Sequence, residues 1–243
     1  MTFLHRAVGA VSRRIGRPEL LAVVDRVARQ ADRDAIAVSA ILAGSLGPDS
    51  MYVDVGTNRG QVLAHAVRVA PRARHIAFEP IPSLAAVLRS SFPGVDCREM
   101  ALGAQAEVTR FCHFTKLDGW SGLRRSPNIS DERGRPEFID VTVSTLDSEL
   151  SGLAPSVIKV DVEGAELGVL QGARSVISQA RPLIVLEHVS EASRLYGASS
   201  EEIWDLLTEL HYTVYALTGE GPFTREAFAD GADFVNWLAT PTL

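Results

Sequence analysis

Four acidic side chains lie in or just after short apolar runs, at the points where strands are expected to end. They are Asp54 in the run 51–55, Glu79 after 75–78, Asp161 after 157–160, and Glu187, next to His188, after 183–186. Parallel strands direct their carboxyl ends to one edge of a sheet, and open α/β sheets bind ligands outside that edge. We therefore expect these groups to share one cleft, where carboxylates and an imidazole could move protons or hold a cation.

The glycine-containing loop at 56–60 indicates what the cleft binds. Residues 51–55 are typical of a strand, Gly56 and Gly60 permit a tight loop, and helical spacing begins at Gln61. The loop lacks the lysine of a phosphate-binding P-loop and the third glycine of a dinucleotide loop. Glu79, about 20 positions past the loop, is placed to hold a ribose hydroxyl pair. The predicted ligand therefore contains a ribose but no diphosphate.

Six segments together resemble one known family. They are 53–60 (Val-Asp-Val-Gly-Thr-Asn-Arg-Gly), 78–82 (Phe-Glu-Pro-Ile-Pro), 101–103 (Ala-Leu-Gly), 144–147 (Ser-Thr-Leu-Asp), 158–173, which includes Asp-Val-Glu-Gly-Ala-Glu, and 186–188 (Leu-Glu-His). In this order they are similar to the FkbM family of S-adenosylmethionine-dependent methyltransferases. The resemblance implies an α/β class I methyltransferase fold, with a Rossmann-like sheet of seven strands whose last strand is antiparallel. It also implies O-methylation of a sugar or polyketide hydroxyl in a glycolipid or secondary metabolite.

The resemblance further implies which residues bind the cofactor, S-adenosylmethionine. Those expected to do so are Asp54, Gly56, Thr57, Asn58, Gly60, Glu79, Pro80, Ala101, Leu102 and Asp161. Asp54 and the 56–60 backbone would hold the methionine part, and Glu79 the ribose. The end of the third strand, at Ala101 and Leu102, would meet the adenine, although plain strand interior is an equal alternative for both.

Methyl transfer to a hydroxyl also requires a group that removes the hydroxyl proton. His188 ranks first, since the reference pKa of histidine is about 6.5, against about 3.9 for an aspartate such as Asp161. Glu163 and Glu187 are further candidate catalytic residues. As an alternative, Asp161, Glu187 and His188 together hold one divalent cation that lowers the pKa of the hydroxyl. Glu163 and Glu166 could instead only stabilise the start of a helix through its dipole.

Residues 104–143 interrupt the βα alternation and are predicted to form an insertion that acts as a substrate lid. Two strands are expected in it, at about 108–114 and 138–143. Long segments of this kind at the ligand edge of a sheet are commonly binding loops. Trp120 and Ser121 are the candidate substrate-binding residues, because an aromatic ring can stack on a sugar face. Packing of Trp120 beneath its own loop is the alternative.

The first 49 residues are predicted to form a helical extension ahead of a methyltransferase domain at 50–243. Helices are expected in 1–17, at 19–31 and at 35–46. The first contains arginines and no acid, which is typical of an amphipathic helix on an anionic membrane surface, with packing on the domain as the alternative. Its apolar runs are too short for a signal peptide or a membrane span.

Composition limits the remaining possibilities. The chain has 243 residues, a net charge of −6 and 46% hydrophobic residues, which favours one large cytoplasmic domain and disfavours a nucleic-acid partner. The expected partner is a small-molecule or glycolipid hydroxyl acceptor, and the sequence does not determine the oligomeric state. Two rival functions stay open: a nicotinamide-dependent oxidoreductase, disfavoured by the missing third glycine, and a non-catalytic nucleoside-binding module.

Overall fold

The computed structural model describes residues 18–115, 121–124, 136–231 and 234–242, with side chains at Gln30 and from Asp32 onward. Nine helices lie in these ranges: α1 Pro18–Ser45, α2 Gln61–Val69, α3 Pro82–Ser91, α4 Leu146–Glu149, α5 Glu166–Gln171, α6 Arg174–Ala180, α7 Ser190–Arg194, α8 Ser200–Glu209 and α9 Arg225–Asp230. The same ranges contain ten strands: β1 Met51–Val55, β2 Arg74–Phe78, β3 Asp96–Arg98, β4 Ala101–Leu102, β5 Glu107–His113, β6 Glu137–Ser144, β7 Val157–Val160, β8 Leu183–Glu187, β9 Tyr212–Ala216 and β10 Asn236–Pro241.

Seven strands form the central sheet in the order β3-β2-β1-β7-β8-β10-β9. The first five in this order are parallel, and β10 is antiparallel to both β8 and β9. Val53 of β1 lies opposite Ile76 of β2 and Ile158 of β7. The order of the strands reverses between β1 and β7, which is the type of position where open sheets bind ligands. The predicted seven-stranded sheet with an antiparallel last strand is confirmed.

The central strands are apolar because helices cover both faces of the sheet. All five residues of β1 and four of the five residues of β2 are buried. Alternate residues of β1 divide between two apolar clusters: Val53 and Val55 pack with α5, α6 and α8, and Tyr52 packs with α1, α2 and α3. This burial fixes the register of the strands, and the register in turn fixes the positions of the side chains that follow each strand.

The N-terminal extension contains one long helix rather than the two helices predicted at 19–31 and 35–46. Helix α1 runs without a break because no glycine or proline interrupts the interval between the two predicted segments. Asp34, in that interval, is 6% exposed and accepts hydrogen bonds from Gln30 Nε2 and from Asn236 Nδ2, both at 2.8 Å. The bond from Asn236 ties α1 to β10, at the residue that pairs with Glu187 of β8.

The first predicted helix, in 1–17, lies outside the described residues. Across the ranges given above, no helix combines the length and the apolar composition that crossing a bilayer requires.

The predicted insertion contributes to a small second sheet. The third predicted strand, expected to end at Ala101 and Leu102, divides in two, since β3 joins the central sheet and β4 pairs in parallel with β6. Strand β6 pairs antiparallel with β5, and both match the predicted strands to within one residue at each end. Phe111 and Val143 of this sheet pack against Ile81 and Leu84. The second sheet therefore sits beside the start of α3, close to the end of β2.

Candidate active site

A cavity of about 510 Å³ opens at the carboxyl ends of β1, β2, β7 and β8. The predicted site residues that line it are Gly56, Thr57, Asn58, Glu79, Pro80, Ala101, Leu102, Ser121, Asp161, Glu163 and Glu187. Phe111 and Leu123 add a wall from the second sheet and its connections. The structure thus brings together residues that lie more than 130 positions apart in the sequence, from Gly56 to Glu187.

The loop after β1 is held in place by its own backbone. Gly56 has a φ of 77°, and a Cβ at this position would lie 1.8 Å from the carbonyl oxygen of Asp161. The N–H groups of Gly56 and Thr57 both donate to the carbonyl oxygen of Phe78, each at 3.1 Å. Only glycine satisfies both the left-handed conformation and the close approach to the end of β7. The loop therefore forms a backbone wall that a ligand can approach closely.

Glu79 is a buried carboxylate with a fixed orientation. It is 4% exposed, its Oε2 accepts from the N–H of Asn58 at 2.7 Å, and its Oε1 accepts from the N–H of Ile81 at 2.9 Å. Burial raises the pKa of Glu79 to about 7, although the two backbone N–H groups oppose this rise. Each oxygen keeps a second lone pair, so the carboxylate can still accept bonds from a pair of ribose hydroxyls.

Two predicted cofactor residues lie behind the cavity wall. Asp54 is 1% exposed and does not line the cavity. Burial raises the pKa of Asp54, and the ammonium of Lys159, 3.4 Å from Oδ1, opposes that rise. At Gly60, with a φ of 78°, a Cβ would lie 2.8 Å from the side chains of both Leu88 and Phe92. Asp54 and Gly60 are thus not among the residues that line the cavity, and the direct cofactor contact that the sequence predicts for them stays a prediction.

Lys159 is a cavity residue that the sequence reasoning missed. Its Nζ donates to Asp161 Oδ2 at 3.0 Å and to the carbonyl oxygen of Gly56 at 3.2 Å. Burial lowers the pKa of Lys159, but the charges of Asp161 and Asp54 outweigh burial, so the net pKa is raised. A signal for this residue was present, because a lysine inside the buried run 157–160 would be costly without acidic partners.

Asp161, Glu163 and Glu187 form a compact carboxylate cluster, called the acidic trio below. One oxygen from each residue lies within 4.8 Å of the others. Burial, followed by the charges of Asp161 and Glu187, raises the pKa of Glu163 to about 8. Burial and the charge of Asp161 raise the pKa of Glu187 to about 7, against the effect of Lys159. Because the pKa values of Glu163 and Glu187 lie near neutral pH, the trio can take up a proton, and its three carboxylates can also hold a cation.

His188 does not reach the cavity. It is 3% exposed, its ring stacks on Phe228 with the centroids 5.5 Å apart, and it is not among the cavity-lining residues. Its Nε2 lies 2.8 Å from Ser200 Oγ and its Nδ1 lies 3.2 Å from Ser193 Oγ, so both ring nitrogens have protein partners. The sequence predicted His188 as the base, or as a ligand of a cation together with Asp161 and Glu187. The structure does not place His188 with these two carboxylates in the cavity. Glu163 takes that place in the cluster.

Glu163 and Glu166, which the sequence treated as a pair at a helix start, have different environments. Helix α5 begins at Glu166, and Glu163 precedes it with a φ of 54°. Glu163 thus lies ahead of the helix and lines the cavity. Glu166 is 2% exposed and accepts from the N–H of Gly164 at 2.7 Å.

The two predicted substrate residues are only partly described. Trp120 lies outside the described residues. Ser121 is 7% exposed and lines the cavity, and its Oγ accepts from the N–H of Phe114 at 2.9 Å. Ser121 is thus part of the wall that the predicted insertion contributes.

The fold and the site together define a class of protein. A seven-stranded sheet with one reversed strand, and a cavity at the carboxyl ends of its parallel strands, is the class I methyltransferase architecture. The chain belongs to the FkbM family of methyltransferases, because the family model described as the methyltransferase FkbM domain matches residues 54–214. This match includes Asp54, the loop at 56–60, Glu79 and the whole acidic trio.

Individual proteins similar to this chain have low sequence identity to it. The methyltransferase sdnD of Sordaria araneosa is 29% identical over 160 residues, which cover 53% of this chain and 62% of that protein, so this chain spans less than two thirds of its length. The crystal structure of a methyltransferase FkbM from Methylobacillus flagellatus KT is 17% identical with a TM-score of 0.49, over 80% of this chain and 44% of that one. The plantazolicin methyltransferase BpumL in complex with SAH is 11% identical with a TM-score of 0.44, over 98% and 96% of the two chains.

Proposed function

We propose that this protein is an S-adenosylmethionine-dependent O-methyltransferase that acts on a hydroxyl of a sugar or polyketide in a glycolipid or secondary metabolite. The observation that carries the proposal is the position of the acidic trio in the same cavity as the Gly56 loop and the Glu79 carboxylate. One part of the cavity has groups suited to a nucleoside, and another part has groups suited to deprotonating an alcohol. The choice of a sugar or polyketide acceptor rests on the family resemblance.

The residues of the cavity fit S-adenosylmethionine. Glu79 presents two oriented acceptors for the ribose hydroxyls, and Ala101 and Leu102 offer an apolar surface to the adenine. Among the charged residues that line the cavity, four are acids and two, Arg59 and Lys159, are bases. Such a surface attracts the cationic sulfonium and disfavours the diphosphate of a nicotinamide dinucleotide. When bound, S-adenosylmethionine supplies an activated methyl group on that sulfonium.

The acidic trio removes the proton of the acceptor. S-adenosylmethionine would supply the methyl group to the acceptor oxygen with loss of its carbon–sulfur bond, and a carboxylate oxygen of the trio would take the hydroxyl proton. Members of the trio with a raised pKa are stronger bases than ordinary carboxylates, which matches them to proton transfer near neutral pH. The ammonium of Lys159, 3.0 Å from Asp161, keeps negative charge in the cluster tolerable.

A divalent cation held by the trio is the second activating device that fits the geometry. Three carboxylate oxygens within 4.8 Å of one another match the oxygen ligands that Mg²⁺ and Ca²⁺ take. In that case Asp161, Glu163 and Glu187 would be its ligands, and the cation would lower the pKa of the acceptor hydroxyl. We favour the metal-free base, because Lys159 already places a positive charge against Asp161.

The test of the proposed function is a search for release of S-adenosylhomocysteine (SAH), the product that S-adenosylmethionine leaves when it has given up its methyl group. The protein is incubated with methyl-labelled S-adenosylmethionine and a panel of sugars, glycosides, polyketide alcohols and glycolipids, with matched amines and thiols as controls. We expect label to appear in a hydroxyl compound, in amounts equal to the SAH formed. Transfer only to amines or thiols, or cofactor binding without transfer to any member, would contradict O-methylation. Calorimetric binding of a nicotinamide dinucleotide in preference to SAH would support the oxidoreductase alternative.

We also propose that residues 1–17 contact an anionic membrane surface. The support is their sequence, since the apolar residues fall on a helical stripe and the segment contains four arginines without any acid. Deletion of 1–17 is expected to reduce sedimentation with vesicles that contain an anionic lipid, and to leave SAH affinity unchanged. Equal sedimentation with and without the segment would return it to the alternative of packing on the domain.

A further inference from the structure

A buried series of hydrogen bonds ends at the turn that carries Glu163. We call it the Glu166 chain. It runs from Ser190 Oγ to Ser200 Oγ (2.8 Å), from there to His188 Nε2 (2.8 Å), from His188 Nδ1 to Ser193 Oγ (3.2 Å), and from Ser193 Oγ to Glu166 Oε2 (3.3 Å). The other carboxylate oxygen of Glu166 accepts from the N–H of Gly164 at 2.7 Å. The chain thus connects α7 and α8 to the segment between β7 and α5.

The available donors and acceptors fix the direction of the hydrogen bonds at the Glu166 end of the chain. Ser193 has one O–H, which it donates to Glu166, so Ser193 Oγ must accept from His188 Nδ1–H. His188 Nε2 lies 2.8 Å from Ser200 Oγ, which in turn lies 2.8 Å from Ser190 Oγ, and either hydroxyl of this last pair can be the donor. Every donor in the series therefore has an acceptor, and the series ends on a carboxylate that is 2% exposed.

The turn at the end of the chain has an unfavourable backbone conformation. Glu163 has a φ of 54° and Gly164 a φ of 106°, and the left-handed region is disfavoured for a residue with a side chain such as Glu163. A Cβ at Gly164 would lie 2.5 Å from the carbonyl oxygen of Ala192. The turn is therefore confined between α7 on one side and the Glu166 carboxylate on the other. Such conformations persist only where the surroundings determine them.

We propose that Glu166 is a positioning residue for methyl transfer, whose carboxylate, held by Ser193 and His188, fixes the Glu163–Gly164 turn and aims the Glu163 carboxylate into the acidic trio. Glu166 does not line the cavity, so it acts through Glu163 rather than on a ligand. This inference rests on the proposed function only for its effect on turnover, since the effect on the turn is independent of any acceptor.

The first arm of the test measures the turn directly by hydrogen–deuterium exchange. Glu166→Leu removes the acceptor of the Gly164 N–H, so exchange in the segment 161–165 is expected to rise about tenfold or more. Glu166→Gln keeps an amide oxygen that can accept this bond, and it is expected to restore protection to within about threefold of the unchanged protein. Asp147→Leu is the matched control, because Asp147 also accepts two backbone N–H bonds, from Ser175 and Val176, and none of these residues lines the cavity.

The second arm measures SAH release with the acceptor that the panel identifies. Glu166→Leu is expected to lower kcat about tenfold while KM for S-adenosylmethionine stays within about twofold, since the Glu79 side of the cavity is untouched. Ser193→Ala and His188→Asn, which weaken the support of Glu166 without removing it, are expected to lower kcat by less than Glu166→Leu. Asp147→Leu and His75→Asn, a change at another buried histidine, are expected to lower stability with kcat unchanged.

The outcomes separate this inference from the proposed function. Absence of SAH release by the unchanged protein would count against the proposed function, and the exchange arm would still decide whether Glu166 holds the turn. Normal exchange at 161–165 in Glu166→Leu would overturn the inference, as would an unchanged kcat in that variant. If Glu166→Leu does not fold, an unaltered kcat in both Ser193→Ala and His188→Asn, or a failure of Glu166→Gln to retain protection, would overturn it equally.

Discussion

The acidic trio and the Glu166 chain are built from residues that are close in sequence but have opposite environments. Glu163 and Glu187 face the cavity, whereas Glu166 and His188, three and one positions later, are 2% and 3% exposed. Successive residues of a strand point to opposite sides, which separates Glu187 from His188 at the end of β8. The left-handed Glu163 separates it from the helical Glu166. The direction of a titratable side chain, rather than its type, thus decides whether it reaches a ligand.

The two regions also differ in how far their polar groups are satisfied. In the Glu166 chain each donor meets an acceptor, which stabilises one arrangement of the backbone. In the acidic trio three carboxylates lie together beside the ammonium of Lys159, and burial, followed by the charges of the neighbouring acids, raises the pKa of Glu163 and of Glu187. Groups with perturbed pKa values in a cleft are candidates for proton transfer. We therefore expect changes in the trio to affect chemistry most, and changes in the chain to act through position.

The largest expected effect follows from neutralising the trio. Glu163→Gln and Glu187→Gln keep the size of the side chain but remove a group that can take a proton, so turnover should fall by roughly 10²–10⁴. SAH affinity, measured by calorimetry, should stay within about twofold. Glu209→Gln, in an exposed ion pair with Arg174, is the matched control and should leave both unchanged. Wild-type turnover in both trio variants would contradict the expectation that the trio takes part in chemistry while the Glu166 chain acts through position.

The next effect concerns the cavity acid on the nucleoside side. Glu79→Ala removes both acceptors for the ribose and leaves the N–H groups of Asn58 and Ile81 without their partner. Binding of S-adenosylmethionine and of SAH should weaken alike by at least about tenfold, or about 1.4 kcal/mol, since both contain the same ribose. Glu99→Ala, at an exposed carboxylate paired with Arg89, is the control. A loss confined to S-adenosylmethionine would mean that Glu79 acts on the sulfonium instead.

The contrast between the two regions also shows which parts of the fold and of the site could be predicted from the sequence. Apolar runs and glycines predicted the central sheet, the Gly56 loop and the gathering of acids at strand ends, because these depend on local pattern and on a general rule of parallel sheets. The apolar pattern could not show that His188 is buried away from the cavity, because a shift of one residue at the end of a strand turns a side chain from the cavity into the core. It could not foresee the positive φ of Glu163, because glutamate rarely adopts that conformation.

Two other differences depend on long-range packing. Ala101 and Leu102 read as a continuation of β3, but pairing with β6 draws them into the second sheet, and that partner is about 40 positions away. Lys159 read as an ordinary residue of the segment 158–173, and its position depends on Asp54 in the neighbouring strand β1. Neither pairing is visible in a local stretch of sequence, although a charge in a buried strand signals that some partner exists.

A smaller effect is expected from pH. The pKa of Glu79 is raised to about 7, and the ionised carboxylate is the form that accepts the ribose hydroxyls. SAH affinity should therefore be full above pH 7 and should decrease as the pH falls through 7, by less than about tenfold per pH unit because one proton is involved. Glu79→Gln should remove this dependence between pH 5.5 and 7. SAH is the suitable probe because it has no sulfonium through which the trio could contribute. A dependence that persists in Glu79→Gln would assign the titration elsewhere.

The smallest expected effect, less than about twofold, is that of a chelator on turnover. A cation would be required if the trio lacked a positive partner, but Lys159 Nζ lies 3.0 Å from Asp161 Oδ2 and 3.4 Å from Asp54 Oδ1. This fixed ammonium lets one carboxylate remain charged while a neighbour with a raised pKa takes the proton of the acceptor. Activity measured after dialysis against EDTA should therefore match activity in added Mg²⁺. Loss of turnover in EDTA that Mg²⁺ or Mn²⁺ restores would instead make the three carboxylates ligands, and Asp161→Asn would then cost as much as Glu163→Gln. The same pair of variants separates the alternatives without a chelator, because the base mechanism passes the proton to a member of the trio with a raised pKa and leaves Asp161 paired with Lys159, whereas a cation requires every ligand.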